Sequence, residues 1–157
     1  MPQVTIEYMI MVPVMIMQIL IFPFAAQIIM STWDDSRRTI ELQETAGHLG
    51  SSIQQLYYTM NHASIASGSL TVKLDTPPLI EGHAYTITLQ NATNPNTSIK
   101  IMNVTLSLAS TSNKVSTLVT LGENAAWQDD ATFPSNSTSI IATKASGSIW
   151  LSFEGDT

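Results

Sequence analysis

The first feature of the hydrophobic pattern is an apolar run at positions 3–30, QVTIEYMIMVPVMIMQILIFPFAAQIIM. No Asp, Glu, Lys or Arg occurs from Tyr8 to Trp33. A helix needs about 20 apolar residues to cross the hydrocarbon core of a bilayer, so this run is long enough. It is equally suited to burial among identical helices from other subunits. The pattern therefore predicts a helix at 3–30 that lies either in lipid or in an assembly.

A second pattern follows from position 31, in which apolar residues recur at alternating spacings of four and three. This spacing places side chains on one stripe of a helix. The stripe consists of Leu42, Ala46, Leu49, Ile53, Leu56 and Met60. Gly47 and Gly50 lower helix propensity by about 1 kcal/mol each relative to Ala, so we expect close approach of another backbone there. The predicted amphipathic half covers 31–66, and the whole helical domain covers 1–66.

The length of this predicted helix limits where it can be placed. At 1.5 Å per residue it would extend over about 90 Å, which a globule of 157 residues is too small to bury. Its first half must therefore enter lipid or other subunits. Its second half must form the spine of the domain that follows.

After Ser67 the period of the pattern changes from 3.6 to 2, which is typical of strands with one buried face. Turn residues separate about six predicted strands, with a register change expected near Asn103. These strands contain residues 70–74, 85–90, 99–108, 115–121, 139–143 and 148–153. The predicted fold class is α+β: a long N-terminal helix and, at 67–157, an antiparallel β-sandwich of immunoglobulin-like type packed on its second half.

Composition and charge exclude several classes of protein. The net charge is −6 at pH 7, whereas binding to nucleic acid through phosphate contacts needs a basic face. The chain contains no Cys, so disulfides, zinc–thiolate sites and cysteine nucleophiles are excluded. We expect no nucleic-acid partner.

No motif in the chain indicates catalysis or a cofactor. His48, His62 and His83 lack metal-ligand spacing, and the pairs Asp34-Asp35 and Asp129-Asp130 fit turns or a helix start. The sequence has no G-x-S-x-G motif, P-loop or dinucleotide-binding glycine pattern. The expectation is a protein that is not an enzyme and has no cofactor and no metal.

The residues Gln3, Thr5 and Glu7 form a short Q-x-S/T-x-E box that opens the apolar helix. At this box the chain resembles the type IV pilin superfamily of archaea. The resemblance implies cleavage between Pro2 and Gln3 by a prepilin peptidase, although only Met1 and Pro2 precede Gln3, so the expected N terminus is either Met1 or Gln3. It also implies insertion in the cell membrane, then export by an assembly ATPase and platform into an extracellular homo-oligomeric filament. There the helices stack in the core and the β-domain, for adhesion or surface contact, lies outside.

Several residues are expected to act in assembly. A carboxylate at the apolar edge, Glu7, is costly unless it is paired, and the N-terminal amine of a neighbouring subunit is a suitable partner. Pro13 and Pro23 each remove a backbone donor and should kink the helix. The predicted assembly residues are Glu7, Pro13, Pro23, Leu42, Leu49, Ile53 and Leu56.

Three other interpretations remain open. The spacing of Ile6-Glu7-Tyr8 and Pro13 resembles pseudopilins of tight-adherence systems, which implies a minor pilin-class component. The chain could instead be a membrane-anchored monomer whose surface domain binds a ligand or cell-wall polymer. It could also be a secreted domain with a signal peptide ending near Ala25-Ala26, although the missing basic n-region and the length of the run disfavour this. The amphipathic extension at 31–66 favours the filament, because a simple anchor does not need it.

The β-domain also carries potential glycosylation sites. Four N-x-S/T sequons are present, and each would be a surface acceptor in a secreted setting. They are Asn91, Asn96, Asn103 and Asn136, of which Asn91 and Asn96 lie in predicted loops.

Overall fold

A computed structural model describes residues 3–92 and 99–155, except for the side chains of residues 3–7, 138 and 155. It contains one helix, α1 (Gln3–Met60), followed by strands, so the α+β class is confirmed. The chain divides into two compact units, Met1–Arg37 and Arg38–Thr157. The second unit therefore includes the last part of α1 together with all the described strands.

Helix α1 ends at Met60, six residues before the predicted end at position 66. The backbone N–H of Ser64, which would bind the Met60 carbonyl in a continuing helix, donates instead to His62 Nδ1 at 3.3 Å. The Ser64 hydroxyl also lies 2.8 Å from the same nitrogen. Buried Lys144 donates from Nζ to the His62 carbonyl at 3.2 Å. These side-chain contacts replace the helical hydrogen bonds and end the helix.

Eight strands follow the helix in the described part of the chain, where the sequence predicted about six. They are β1 (Gly68–Lys73), β2 (Tyr85–Asn91), β3 (Lys100–Leu108), β4 (Lys114–Leu121), β5 (Ala125–Trp127), β6 (Ala131–Pro134), β7 (Ser137–Ala145) and β8 (Ser148–Gly155). They form two four-stranded sheets with the orders β1-β7-β8-β5 and β4-β3-β2-β6. All pairs are antiparallel except β5 with β8, so the sheets are mainly antiparallel, as predicted, and differ from the prediction at that edge.

The predicted register change near Asn103 was also wrong. Strand β3 pairs without a shift, so that Asn103 stands opposite Gln90 on β2 and Leu118 on β4. Met102 and Val104 are fully buried on the inward face, whereas Ile101 lies on the outward face. Alternation through Met102 is therefore regular, and the outward Ile101 produced the false signal.

One hydrophobic core joins the helix to both sheets. The whole predicted stripe is buried in it, with no stripe residue more than 2% exposed: Leu42, Ala46, Leu49, Ile53, Leu56 and Met60. Burial of a Leu or Ile side chain contributes about 1.5–3 kcal/mol. The stripe therefore makes the second half of α1 the spine of the β-domain, as its spacing predicted.

The two helix glycines differ in their surroundings. A Cβ added to Gly50 would lie 3.2 Å from Val119 Cγ2 and 3.3 Å from Thr117 Cγ2, which is tight packing against β4. A Cβ added to Gly47 would meet nothing within 4 Å. Side chains of β4, and not the predicted second backbone, therefore explain Gly50, and neither explains Gly47.

A hydrogen-bond network fastens the end of the helix to the sheets. The buried Tyr57 donates from its hydroxyl to Asn124 Oδ1 at 2.5 Å. Asn124 Nδ2 donates in turn to Asn61 Oδ1 at 2.8 Å and to the Gly147 carbonyl at 3.1 Å. Burial raises the pKa of the Tyr57 phenol above its ordinary value, so the ring stays a neutral donor. A Cβ on Gly122 would overlap the Tyr57 hydroxyl.

We predict that Gly122→Ala destabilises the β-domain by about 1–3 kcal/mol, because Tyr57 must move and leave Asn124 without its donor. Gly47→Ala is the matched control, since the same methyl enters open space and should stabilise the helix by up to about 1 kcal/mol. Urea unfolding of a fragment containing residues 31–157 measures both changes. A Gly122→Ala variant as stable as its parent would show that Tyr57 does not need this space.

Candidate assembly surface

The apolar segment of α1, residues 8–30, is uncovered by the rest of the described chain. Every large hydrophobic side chain from Tyr8 to Met30 is between 49% and 78% exposed. The exposed side chains occupy consecutive positions and so lie on all sides of the helix. By length and composition the helix could cross a membrane, and none of its apolar window is buried. This segment is the candidate functional surface of the chain.

The apolar segment ends in a short boundary at residues 31–34. The Ser31 and Thr32 hydroxyls both donate to the Ile28 carbonyl, at 3.0 and 2.8 Å, so their polarity is satisfied within the helix. Trp33 is 68% exposed, and Asp34 is the first charged residue after the segment. A Trp between apolar and charged residues is typical of a membrane–water interface.

The side chains of the predicted processing and pairing residues lie outside the described part of the chain. Gln3 and Glu7 belong to α1 by their backbones, but their side chains are outside the described residues, and so is all of Pro2. The cleavage site and the pairing of Glu7 therefore stay predictions.

Pro13 and Pro23 both lie inside the helix, which continues through them. Because proline has no N–H, the carbonyls four residues earlier, those of Met9 and Ile19, lose their helical donors. In the apolar segment these carbonyls are polar groups that need a partner.

The other predicted assembly residues have a different environment. Leu42, Leu49, Ile53 and Leu56 are buried in the core of the second compact unit. No surface of these four side chains is left for a neighbouring subunit. Any part that they have in assembly is therefore indirect, through fixing the β-domain on the helix.

The sequons differ in accessibility. Asn91 ends β2 and is exposed, and its backbone N–H donates to Asp129 Oδ1 at 2.6 Å. Asn136 is exposed in the turn between β6 and β7. Asn103 lies in the middle of β3 with its Oδ1 buried and without a hydrogen bond in the described chain. Asn96, the other sequon expected in a loop, lies outside the described residues.

The histidines do not form a metal centre in the described part of the chain. His83 Nδ1 lies 2.6 Å from the Ser110 hydroxyl, and His62 contacts Ser64. A groove of about 360 Å³ contains His48 with Glu41, Glu44 and Asp75 in its lining. No group of three or more His, Asp or Glu side chains among the described residues is arranged to hold a metal ion.

Sequence reasoning missed the contacts where the helix enters the second unit. Arg38 Nε lies 3.5 Å from the carboxylate of Glu81, which has a left-handed backbone (φ 46°) beside Gly82. Asn113 Nδ2 donates to Thr39 Oγ1 at 3.1 Å. Gly82 marks a turn, but no local pattern connects this turn to Arg38, which lies 43 positions before Glu81.

Comparison with known proteins finds no matching protein family, no matching characterised protein and no matching solved structure.

We predict that a fragment containing residues 31–157 is soluble and monomeric, because it lacks the exposed apolar segment. The control is the full chain in the same buffer, which should associate or require detergent. Light scattering after size-exclusion chromatography measures both masses. A stable oligomer of the fragment would show that association does not depend on the apolar segment.

Proposed function

We propose that this chain is a structural subunit of an extracellular filament of the type IV pilus kind. It would polymerise through residues 3–30 and display the β-domain on the outside for adhesion or surface contact. The observation that carries the proposal is that the apolar segment of α1 is exposed on all sides. The same helix continues into a compact domain, where one stripe of its second half is buried in the core. The proposal also includes a pilin-like fold in which the two sheets form an immunoglobulin-like sandwich.

The energetics favour a function in which the apolar segment is covered. Its seventeen large hydrophobic side chains are exposed in the isolated chain. At about 1.5–3 kcal/mol for each side chain removed from water, covering them would stabilise an assembly by tens of kcal/mol before entropic costs. Lipid can supply this cover before assembly, and copies of the same helix can supply it afterwards. A prepilin peptidase and an assembly ATPase with its platform are the partners that the proposal requires during biogenesis.

A membrane-anchored monomer is the second candidate. The exposed Trp33 at the end of the apolar segment favours it, since this position suits an interface residue of a helix that stays in lipid. The continuity of α1 from the segment into the domain core favours the filament, because an anchor could be joined by any linker. A minor pseudopilin is a variant of the first proposal.

We predict that Glu7→Ala prevents or impairs filament formation while the β-domain stays folded, because it removes the carboxylate that pairs with a neighbouring amine. Glu44→Ala is the control, since Glu44 is an exposed carboxylate on the same helix within the second unit. Electron microscopy of material sheared from cells counts the filaments, and peptide mapping identifies Met1 or Gln3 as their first residue. Normal Glu7→Ala filaments would remove Glu7 from the mechanism. A wild-type chain that stays in the membrane and enters no filament would favour the anchored monomer.

We also predict that the filament is glycosylated at Asn91 and Asn136 but not at Asn103. The first two side chains are exposed at a strand end and in a turn, whereas Asn103 lies between two paired strands. Mass mapping of glycopeptides checks this, with Asn91→Gln and Asn136→Gln expected to remove one glycan each. A glycan on Asn103, or none on the other two, would contradict it.

A further inference from the structure

The apolar segment contains a polar side chain that the described residues leave without a partner. Gln18 lies between Pro13 and Pro23 and is exposed. Within the described part of the chain no hydrogen bond to its carboxamide is found. A carboxamide has two N–H donors and one carbonyl acceptor, and placing such a group among hydrocarbon is unfavourable unless it is hydrogen-bonded.

The next residue in the chain carries an acceptor without its usual donor. The Ile19 carbonyl would receive the N–H of residue 23 in an uninterrupted helix, but residue 23 is a proline. Gln18, Ile19 and Pro23 all line one shallow groove, of about 590 Å³, on the surface of the helix. The residue with the unpaired amide and the residue whose carbonyl lacks its helical donor therefore line the same groove.

We propose that the Gln18 carboxamide donates a hydrogen bond to the Ile19 carbonyl of a second copy of this chain. This inference rests on the proposed filament and names the contact that selects a copy over lipid. Acyl chains offer no donor or acceptor, so lipid leaves both groups unsatisfied. An identical helix supplies the donor that the carbonyl lacks and the acceptor that the amide lacks.

The same arrangement suits an open polymer. When a copy donates through Gln18 to one neighbour and accepts through Ile19 from another, the end copies keep one donor and one acceptor free. A contact between two different surfaces repeats without closing when successive copies do not complete a ring, and it then generates a helical filament. The contact would also fix the axial position of each helix relative to its neighbour.

Gln27 provides a matched comparison within the same segment. It is also an exposed glutamine in the uncharged run. The carbonyl beside it, that of Ile28, already accepts hydrogen bonds from the Ser31 and Thr32 hydroxyls. No proline lies four residues after Ile28, so this carbonyl also keeps its helical donor.

The test uses filaments of the full chain, diluted into a detergent buffer that keeps the unassembled chain soluble and brought to equilibrium, with the concentration of unassembled subunit measured after sedimentation. Gln18→Leu should raise that concentration by about three- to tenfold, which corresponds to the loss of one hydrogen bond between helices in an apolar environment. Gln27→Leu should leave it unchanged or lower it, because leucine is more apolar than glutamine. If the Gln18 amide had no partner, Gln18→Leu would lower the concentration in the same way.

Pro23→Ala tests the acceptor. Alanine restores an N–H for the Ile19 carbonyl, so in this background Gln18→Leu should have much less effect than in the wild type. An undiminished effect, or equal weakening by Gln27→Leu, would overturn the pairing with Ile19 while leaving the filament intact. Wild-type chains that form no filament would overturn both the inference and the proposed function, and this is measured before any variant.

Discussion

An uncharged helix that is apolar on all sides is not stable in water, and every other feature of this chain has to be consistent with that constraint. Residues 8–30 carry hydrophobic side chains that their own chain leaves exposed. The cost of exposing them is larger than the usual net stability of a whole domain, about 5–15 kcal/mol. The segment therefore needs a cover, which under the proposed function is lipid before assembly and copies of the same helix afterwards.

The second half of the helix is partly covered by its own chain. Helix α1 continues into the second compact unit, where it is buried along one stripe. The stripe begins with Leu42 and Leu49, and near the helix end the hydrogen bond from Tyr57 to Asn124 also attaches the helix to the sheet domain. Because the domain cannot leave the helix without exposing its own core, the stability of the domain and its attachment to the helix have the same physical origin.

The sequence predicted what depends on periodicity and failed where single contacts decide. The stripe from Leu42 to Met60 was readable because a helix repeats every 3.6 residues. The helix end at Met60 was not, since it depends on His62 and on Lys144, which is distant in the sequence. Strands β5 and β6 contain three and four residues, too few for a period to be read. The position of Asn103 on a strand paired at both sides, and the burial of its oxygen, are likewise not revealed by a sequon.

The choice between lipid and copies of the helix cannot be made by hydrophobicity. Acyl chains and apolar side chains remove the same hydrocarbon surface from water, so transfer free energy favours both almost equally. The polar features of the segment must decide, among them Glu7 at its start, the Gln18 carboxamide, and the Met9 and Ile19 carbonyls, which lack their helical donors. Each is unfavourable in lipid and can be satisfied by a neighbouring helix. The polar groups that make this segment less favourable in lipid are therefore the ones that would let it bind specifically to copies of itself.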